Sequence, residues 1–205
     1  MTSLESHWQN VYAARAPDQV TWFEPVPEVS LAMIKSSGAP ANARIIDIGG
    51  GASNLVDHLL GLGYPRPTVL DVSAAALAKS EDRLGVRASE VDWIVADMLT
   101  FASTQTYDIW HDRAALHFLT AESDQQAYVR VLKSALKLGG SAILGTFAPD
   151  GPERCSGLPV VRRSAPDMAS LLGSDFALQE SQRHLHPTPA GNSQQFQFAR
   201  LRRIA

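Results

Sequence analysis

The sequence predicts an α/β protein with a doubly wound, mostly parallel, seven-stranded Rossmann-like sheet and an antiparallel C-terminal edge strand. Three observations predict it. Strand-like and helix-like segments alternate along the chain, the first strand ends in a run of three glycines, and the last two strands follow each other directly. Alternation favours parallel strands joined by right-handed crossovers, which place helices on both faces of one sheet.

The elements follow from hydrophobic periodicity and from the residues that end each run. The predicted strands are Arg44–Ile48, Thr68–Val72, Val91–Ala96, Tyr107–Trp110, Ser141–Phe147, Phe176–Glu180 and Gln194–Leu201. The predicted helices are Ser53–Leu62, Ala74–Leu84, Ala121–Lys137 and Ala165–Leu172. Ser73 is placed to cap the second of these helices. A Pro/Gly/His-rich loop is expected between the last two strands.

Length and composition favour one domain over residues 1–205. The chain has 205 residues, of which 45% are hydrophobic, and it contains no internal repeat. We expect residues 1–40 to form an N-terminal helical lid, residues 41–147 a cofactor-binding core, and residues 148–205 the substrate-side loops and last strands. Cys155 is the only cysteine, so no internal disulfide can form.

The charge balance argues against polyanionic partners. The chain has 18 Lys and Arg residues and 21 Asp and Glu residues, which gives a formal net charge of −3. Nucleic acid binding is therefore not expected. The first residues lack the basic and apolar pattern of a signal peptide, and the apolar runs are short, so we expect a cytoplasmic protein without membrane contact. The oligomeric state is left open.

Acidic residues follow or end three consecutive strands. Asp47 precedes the glycine turn Gly49–Gly51, Asp71 lies near the end of the second strand, and Asp97 follows the third. The carboxyl ends of adjacent parallel strands meet at one edge of the sheet, where α/β proteins bind their ligands. We therefore expect a row of carboxylates across a cleft, with Asp71 placed to accept hydrogen bonds from ribose hydroxyls.

The sequence of the glycine turn does not match the glycine spacing of a dinucleotide-binding site. The last glycine of the G-x-G-x-x-G spacing would fall at Asn54, and Asp47 would repel a pyrophosphate. A carboxylate before the turn suits a cationic ligand instead. S-adenosylmethionine carries an ammonium, a sulfonium and a ribose diol but no phosphate, so the pattern favours this methyl donor.

Five motifs within residues 40–150 carry a family resemblance. They are IIDIGGGAS (Ile45–Ser53), VLDVS (Val69–Ser73), VADM (Val95–Met98), YDIWHDRAALHFL (Tyr107–Leu119) and LKLGGSAILGTF (Leu136–Phe147). With them the sequence resembles the class I S-adenosylmethionine-dependent methyltransferases. Ser53 replaces the third glycine of the family's first motif and still permits the turn. The segments His7–Tyr12 and Val20–Pro25 resemble a subgroup that includes eukaryotic lysine methyltransferases, and residues 147–194 are similar to bacterial methyltransferases of undefined substrate.

The resemblance implies a set of residues around the donor. The implied donor-binding residues are Asp47, Gly49, Gly51, Asp71, Val72, Asp97, Met98 and His111. Asp47 is expected near the amino group, Asp71 at the ribose, and Asp97 with Met98 at the adenine. Trp8, Tyr12 and Trp22 are expected to cover the donor; the alternative is that they are ordinary aromatic residues docked on the sheet.

Methyl transfer from a sulfonium is an in-line displacement, so a base is needed only for a protonated acceptor. We predict Asp112 and His111 as catalytic residues, because both follow the fourth predicted strand. The alternative for Asp112 is a helix cap or an ion pair with Arg113, and for His117 a packed core position. Cys155, His186 and His117 are the predicted contacts of a small-molecule or peptide acceptor.

Acceptor binding is expected under the loops at residues 147–163 and 182–193. Cys155, His184 and His186 would form a soft-donor set if they met in space, but a loop cysteine with surface histidines is the simpler interpretation, and no metal site is assigned. A nicotinamide-dependent oxidoreductase of the short-chain type is disfavoured, since no tyrosine has a lysine four residues on. A non-catalytic adenosyl-binding or partner-binding module stays open.

Overall fold

The computed structural model describes residues 3–205, with the side chain of Ser3 left out. The helices are α1 (Ser3–Ala14), α2 (Glu28–Ser36), α3 (Leu55–Gly61), α4 (Ala74–Leu84), α5 (Glu122–Ala135) and α6 (Ala165–Leu172). The strands are β1 (Ile45–Ile48), β2 (Thr68–Asp71), β3 (Asp92–Val95), β4 (Tyr107–Arg113), β5 (Leu136–Phe147), β6 (Arg154–Cys155), β7 (Leu158–Pro159), β8 (Phe176–Pro187) and β9 (Ser193–Arg203). Short 3₁₀ turns lie at Pro17–Gln19, Gly85–Glu90 and Leu116–Phe118.

Seven strands form one twisted sheet in the order β3-β2-β1-β4-β5-β9-β8. Strands β1 to β5 are parallel, and β9 runs antiparallel to both of its neighbours, β5 and β8. The remaining strands, β6 and β7, pair as a separate small hairpin. The predicted α/β class and the antiparallel C-terminal strand are confirmed. The strand order reverses between β1 and β4, which opens a crevice at the carboxyl ends of these strands.

Apolar side chains cover both faces of the sheet because successive strand residues point in opposite directions. Trp110 and Tyr128 belong to the core cluster beneath α5 and α6, whereas Ile109 and Phe147 belong to the cluster beneath α2 and α3. Both clusters are buried. Within residues 3–205, every helix is too short or too polar to cross a bilayer.

The turn after β1 is held tightly between its neighbours. Gly49 has a φ of 65°, and an added Cβ atom would lie 2.8 Å from the Cβ atom of Ala115. Gly51 has a φ of 33°, and its Cβ atom would lie 2.7 Å from Oδ2 of Asp71. Glycine is required here both for the left-handed backbone and for the close approach of the next strand. Ser73 caps α4 as predicted, since its hydroxyl accepts the backbone N–H of Ala76.

Four strands, β4, β5, β8 and β9, are longer than the sequence predicts. β4 continues through Arg113 rather than ending at Trp110, and β5 starts at Leu136, directly after α5, rather than at Ser141. The loop predicted at residues 182–193 is wrong for its first half, because β8 extends to Pro187 and pairs with β9 along its length. β8 is an edge strand with many exposed polar residues, so it lacks the hydrophobic alternation that reveals a strand.

Candidate active site

Two adjoining cavities open at the carboxyl ends of the central strands. Tyr12, Trp22, Gly49 and Arg113 line both, so the cavities are two parts of one cleft. The larger part lies over β2 and the chain after β3. The smaller part lies over the glycine turn and the segment that follows the first 3₁₀ turn. The cleft therefore occupies the crevice where the strand order reverses.

The row of carboxylates lines this cleft. Asp71 and Asp97 line the larger cavity, and Asp47 lines the smaller one. Oδ1 of Asp71 accepts the backbone N–H of Ser73 at 2.8 Å. Burial raises the pKa of Asp71 to about 7, and the nearby charge of Asp47 contributes in the same direction. A carboxylate in this state gains from any ligand that donates hydrogen bonds to it.

His111 fixes the orientation of Asp47. Its Nδ1 atom lies 2.6 Å from Oδ1 of Asp47, and its Nε2 atom lies 2.8 Å from the hydroxyl of Ser30. All three side chains are buried. Since a carboxylate only accepts, Nδ1 donates to Asp47, and Nε2 is engaged by the hydroxyl of Ser30. His111 lines the smaller cavity, but both of its ring nitrogens are already engaged.

Asp112 lies on the opposite face of β4, in the core. Its carboxylate accepts the hydroxyl of Tyr128 at 2.8 Å and the backbone N–H groups of Ala115 and Leu116 at 3.0 and 3.1 Å. The residue is fully buried, and burial raises its pKa to about 6 even though these hydrogen bonds act in the other direction. It contributes to neither cavity. The ion pair considered between Asp112 and Arg113 does not form, because neighbouring strand residues face opposite sides.

His117 also lies in the core rather than in the cleft. Its ring packs against the rings of Phe118 and Phe147 at 4.4 and 4.9 Å between centroids. Neither ring nitrogen has a hydrogen-bond partner within the described part of the chain. Burial lowers its pKa to about 3, with smaller contributions from Arg163 and Arg113, so the ring is neutral. The packed alternative foreseen for His117 matches this position.

Cys155 and the two histidines of β8 do not form the soft-donor set considered above. Cys155 lines the larger cavity, and burial raises the pKa of its thiol to about 12, so the sulfur stays protonated. His184 and His186 converge instead on Glu24. Because Cys155 lines the larger cavity, the small hairpin that carries it brings the 147–163 loop to the border of the cleft.

The three aromatic residues predicted as a lid line the larger cavity. The indole N–H of Trp22 donates to the hydroxyl of Tyr12 at 3.1 Å. Trp8 packs edge-on against Trp22 at 5.6 Å and against Phe118 at 5.0 Å between centroids. The aromatic side chains thus form one packed wall over the strand ends.

The family resemblance implies that residues 111–114 line the methyl-transfer face, and Arg113 of this segment lies buried at the junction of the two cavities. Its Nη1 atom donates to the backbone carbonyl of Trp22 at 2.8 Å, and Nη2 lies 3.1 Å from Oε1 of Glu24. Its Nε atom has no hydrogen-bond partner within residues 3–205. In the sequence, the position of Arg113 directly after His111 and Asp112 was the one indication of this location. Only the full length of β4 shows that the side chain faces the cleft.

Comparisons with known proteins agree with this architecture. A family model described as a methyltransferase domain matches residues 45–140. No curated protein matches the chain significantly. Residues 45–140 therefore form a methyltransferase domain, and the fold is that of the class I S-adenosylmethionine-dependent methyltransferases. S-adenosylmethionine is its cofactor.

Three solved structures share the fold of this methyltransferase at low sequence identity. One comes from work on the conversion of a disulfide bond into a thioacetal group during echinomycin biosynthesis; it is 20% identical, with a TM-score of 0.79, and the match covers 98% of this chain and 92% of that one. The N-methyltransferase NodS from Bradyrhizobium japonicum, crystallised with S-adenosylhomocysteine, is 18% identical, with a TM-score of 0.74 and coverage of 96% and 98%. The 1,6-didemethyltoxoflavin-N1-methyltransferase of Burkholderia thailandensis is 20% identical, with a TM-score of 0.69 and coverage of 99% and 85%.

The location of Asp112 generates a test of its predicted catalytic role. We expect Asp112→Ala to lower the free energy of unfolding by about 1–3 kcal/mol, because it leaves buried donors unpaired. Asp112→Asn should unfold at lower urea concentration than the wild type yet keep turnover within a few-fold. Tyr128→Phe, which removes one of the donors and keeps the carboxylate, is the matched control for stability. A loss of turnover of a hundredfold or more in a folded Asp112→Asn protein would restore the catalytic assignment.

Proposed function

We propose that this methyltransferase moves the donor's methyl group to a nucleophile on a small molecule or a peptide side chain, and that the whole chain acts as one domain. The observation that carries the proposal is the apolar, aromatic wall of the larger cavity beside the carboxylate row. Proteins of the same fold act on 1,6-didemethyltoxoflavin and on a glycopeptide, which are acceptors of this size class. Neither the fold nor the charge of −3 favours a nucleic acid acceptor.

The donor is placed by the row of carboxylates. We assign Asp71 to the ribose hydroxyls, Asp97 with Met98 and Val72 to the adenosine side, and the glycine turn at Gly49 and Gly51 to the methionine side. Asp71, Val72, Asp97, Met98 and Gly49 line the larger cavity together. Asp47, which His111 holds in place, supplies negative charge for the donor's ammonium end. His111 therefore acts on the donor through Asp47.

Arg113 completes the charge pattern of the donor site. The methionine end of the donor carries a carboxylate as well as an ammonium, and the smaller cavity presents Arg113 and Asp47 side by side with the glycine turn. The Nε donor of the guanidinium has no acceptor among residues 3–205, and the group is buried, so a carboxylate bound there is shielded from water. We assign Arg113 to the donor carboxylate.

The proposed mechanism depends on positioning. None of the described residues that line the larger cavity is a histidine, and Asp112 and His117 lie in the core. The Cys155 thiol is protonated and borders the cavity as an acceptor contact. Holding the nucleophile, the methyl carbon and the sulfur in line therefore supplies most of the rate. This arrangement suits an acceptor that already presents a lone pair at neutral pH, such as a weakly basic ring nitrogen.

The proposed acceptor class is tested by transfer of a radiolabelled methyl group from S-adenosylmethionine to fractionated cell extract and to a panel of small amines, thiols and phenols. We expect label in the low-molecular-mass or peptide fraction and not in RNA or DNA. Cys155→Ser should slow transfer to the acceptor found while barely changing donor affinity. Label confined to nucleic acid would contradict the proposed acceptor class.

The assignment of Asp71 predicts a pH dependence of donor binding. The ribose diol hydrogen-bonds to the carboxylate form, so protonation near pH 7 removes the acceptor. The dissociation constant of S-adenosylhomocysteine, measured by calorimetry, should be flat above about pH 8 and should rise as pH falls below 7. Asp71→Asn should bind roughly 10–100-fold more weakly at pH 8, because a charged hydrogen bond is lost, and should lack this pH dependence.

Asp82→Asn, on the exposed side of α4, is the control for the loss of one negative charge. It should bind the product like the wild type at every pH. A pH profile that Asp71→Asn shares with the wild type would assign the titration to another group.

A further inference from the structure

We propose that Glu24, His184 and His186 form a binding site for one divalent transition metal ion, and that zinc fits it best. The three residues offer one carboxylate oxygen and two imidazole nitrogens, which all lie within 4.8 Å of one another. This is the ligand type that zinc prefers among oxygen and nitrogen donors. The site joins the N-terminal segment to the edge strand β8.

The distances between the ligand atoms match a metal site better than an ion pair. Oε1 of Glu24 lies 3.5 Å from Nε2 of His184 and 3.4 Å from Nδ1 of His186. A hydrogen bond between charged nitrogen and oxygen groups is normally about 2.7–2.9 Å long. Two ligands bound at about 2.0–2.1 Å to a tetrahedral zinc ion are about 3.3–3.4 Å apart. The two separations measured from Glu24 are close to the edge length of such a tetrahedron.

The Nδ1 atom of His186 is directed into the site. Its Nε2 atom donates to the backbone carbonyl of Thr21 at 2.8 Å, and the side chain is 2% exposed. Nδ1 has no hydrogen-bond partner within the described residues. In the neutral ring, the lone pair of Nδ1 faces the acceptor oxygen of Glu24, which is unfavourable unless a cation lies between them. A backbone carbonyl on the other nitrogen is also how proteins commonly orient histidine ligands.

The strand positions the two histidines for a shared ligand. His184 and His186 are two residues apart on β8, so both project from the same face. Glu24 comes from the segment that carries Trp22, which lines both cavities. A bound ion would therefore hold the aromatic wall of the cleft against β8.

Arg113 sets the strength of this site. Its Nη2 atom lies 3.1 Å from Oε1 of Glu24, so a positive charge stands next to the metal position. A carboxylate has enough lone pairs to accept a guanidinium N–H and to bind an ion at once. The neighbouring charge weakens metal binding relative to a site without it, and three protein ligands leave one position open to solvent. We expect a reversible site rather than a closed structural cage.

The test is metal titration of the full chain after removal of bound metal with a chelator. Zinc is titrated against a chromophoric competitor, and cobalt(II) is titrated with detection of its visible absorption bands. We expect one ion per chain and the intense cobalt bands of tetrahedral coordination. Glu24→Gln and His184→Gln should each weaken binding by at least tenfold, whereas His7→Gln, in α1, should leave it unchanged.

Two results would overturn the proposal: no saturable binding to the wild type, or binding that both ligand variants retain. His186→Ala removes a buried side chain and risks unfolding, so the decision rests on His184, whose side chain is 28% exposed. The readout is metal occupancy, so the outcome does not depend on donor or acceptor binding.

Discussion

Two carboxylates buried at the ends of neighbouring strands constrain the whole active site. Asp47 and Asp71 are 3% and 6% exposed, and the nearby charge of Asp47 contributes to the raised pKa of Asp71. Buried charge is stable only with partners. His111 supplies one for Asp47, while Asp71 retains capacity for hydrogen-bond donors. A ligand with a cationic end and a ribose diol would meet both needs, and the proposed placement of S-adenosylmethionine in the cleft rests on this match.

The glycine turn and strand β4 determine how side chains are arranged around these two carboxylates. Gly51 has no side chain, so the turn can lie against the carboxylate of Asp71. On β4, alternation sends His111 and Arg113 toward the cleft and Asp112 into the core. One strand therefore orients the carboxylate of Asp47, places a cation at the junction of the cavities and anchors the 3₁₀ turn beyond its end.

Local patterns predicted the framework, because a βαβ unit, a serine cap and carboxylates at successive strand ends are all properties of short segments. It was harder to predict on which face of the sheet each side chain lies. The roles of Asp112 and Arg113 depend on β4 running three residues past Trp110, which its polar sequence does not reveal. The contact between His186 and Thr21 joins positions 165 apart in the sequence. The strand that makes it, β8, is a polar edge strand without the hydrophobic alternation from which a strand is predicted. Fold and donor were therefore predictable, whereas the arrangement around Glu24 was not.

The central claim is that the charges of the cleft are complementary to those of S-adenosylmethionine. Calorimetric titration of the wild-type chain with S-adenosylhomocysteine, with its decarboxylated analogue and with NAD tests it most directly. The account predicts one S-adenosylhomocysteine per chain, binding weaker by roughly tenfold or more for the analogue that offers Arg113 no carboxylate, and no binding of NAD. Binding of NAD without binding of S-adenosylhomocysteine would contradict it.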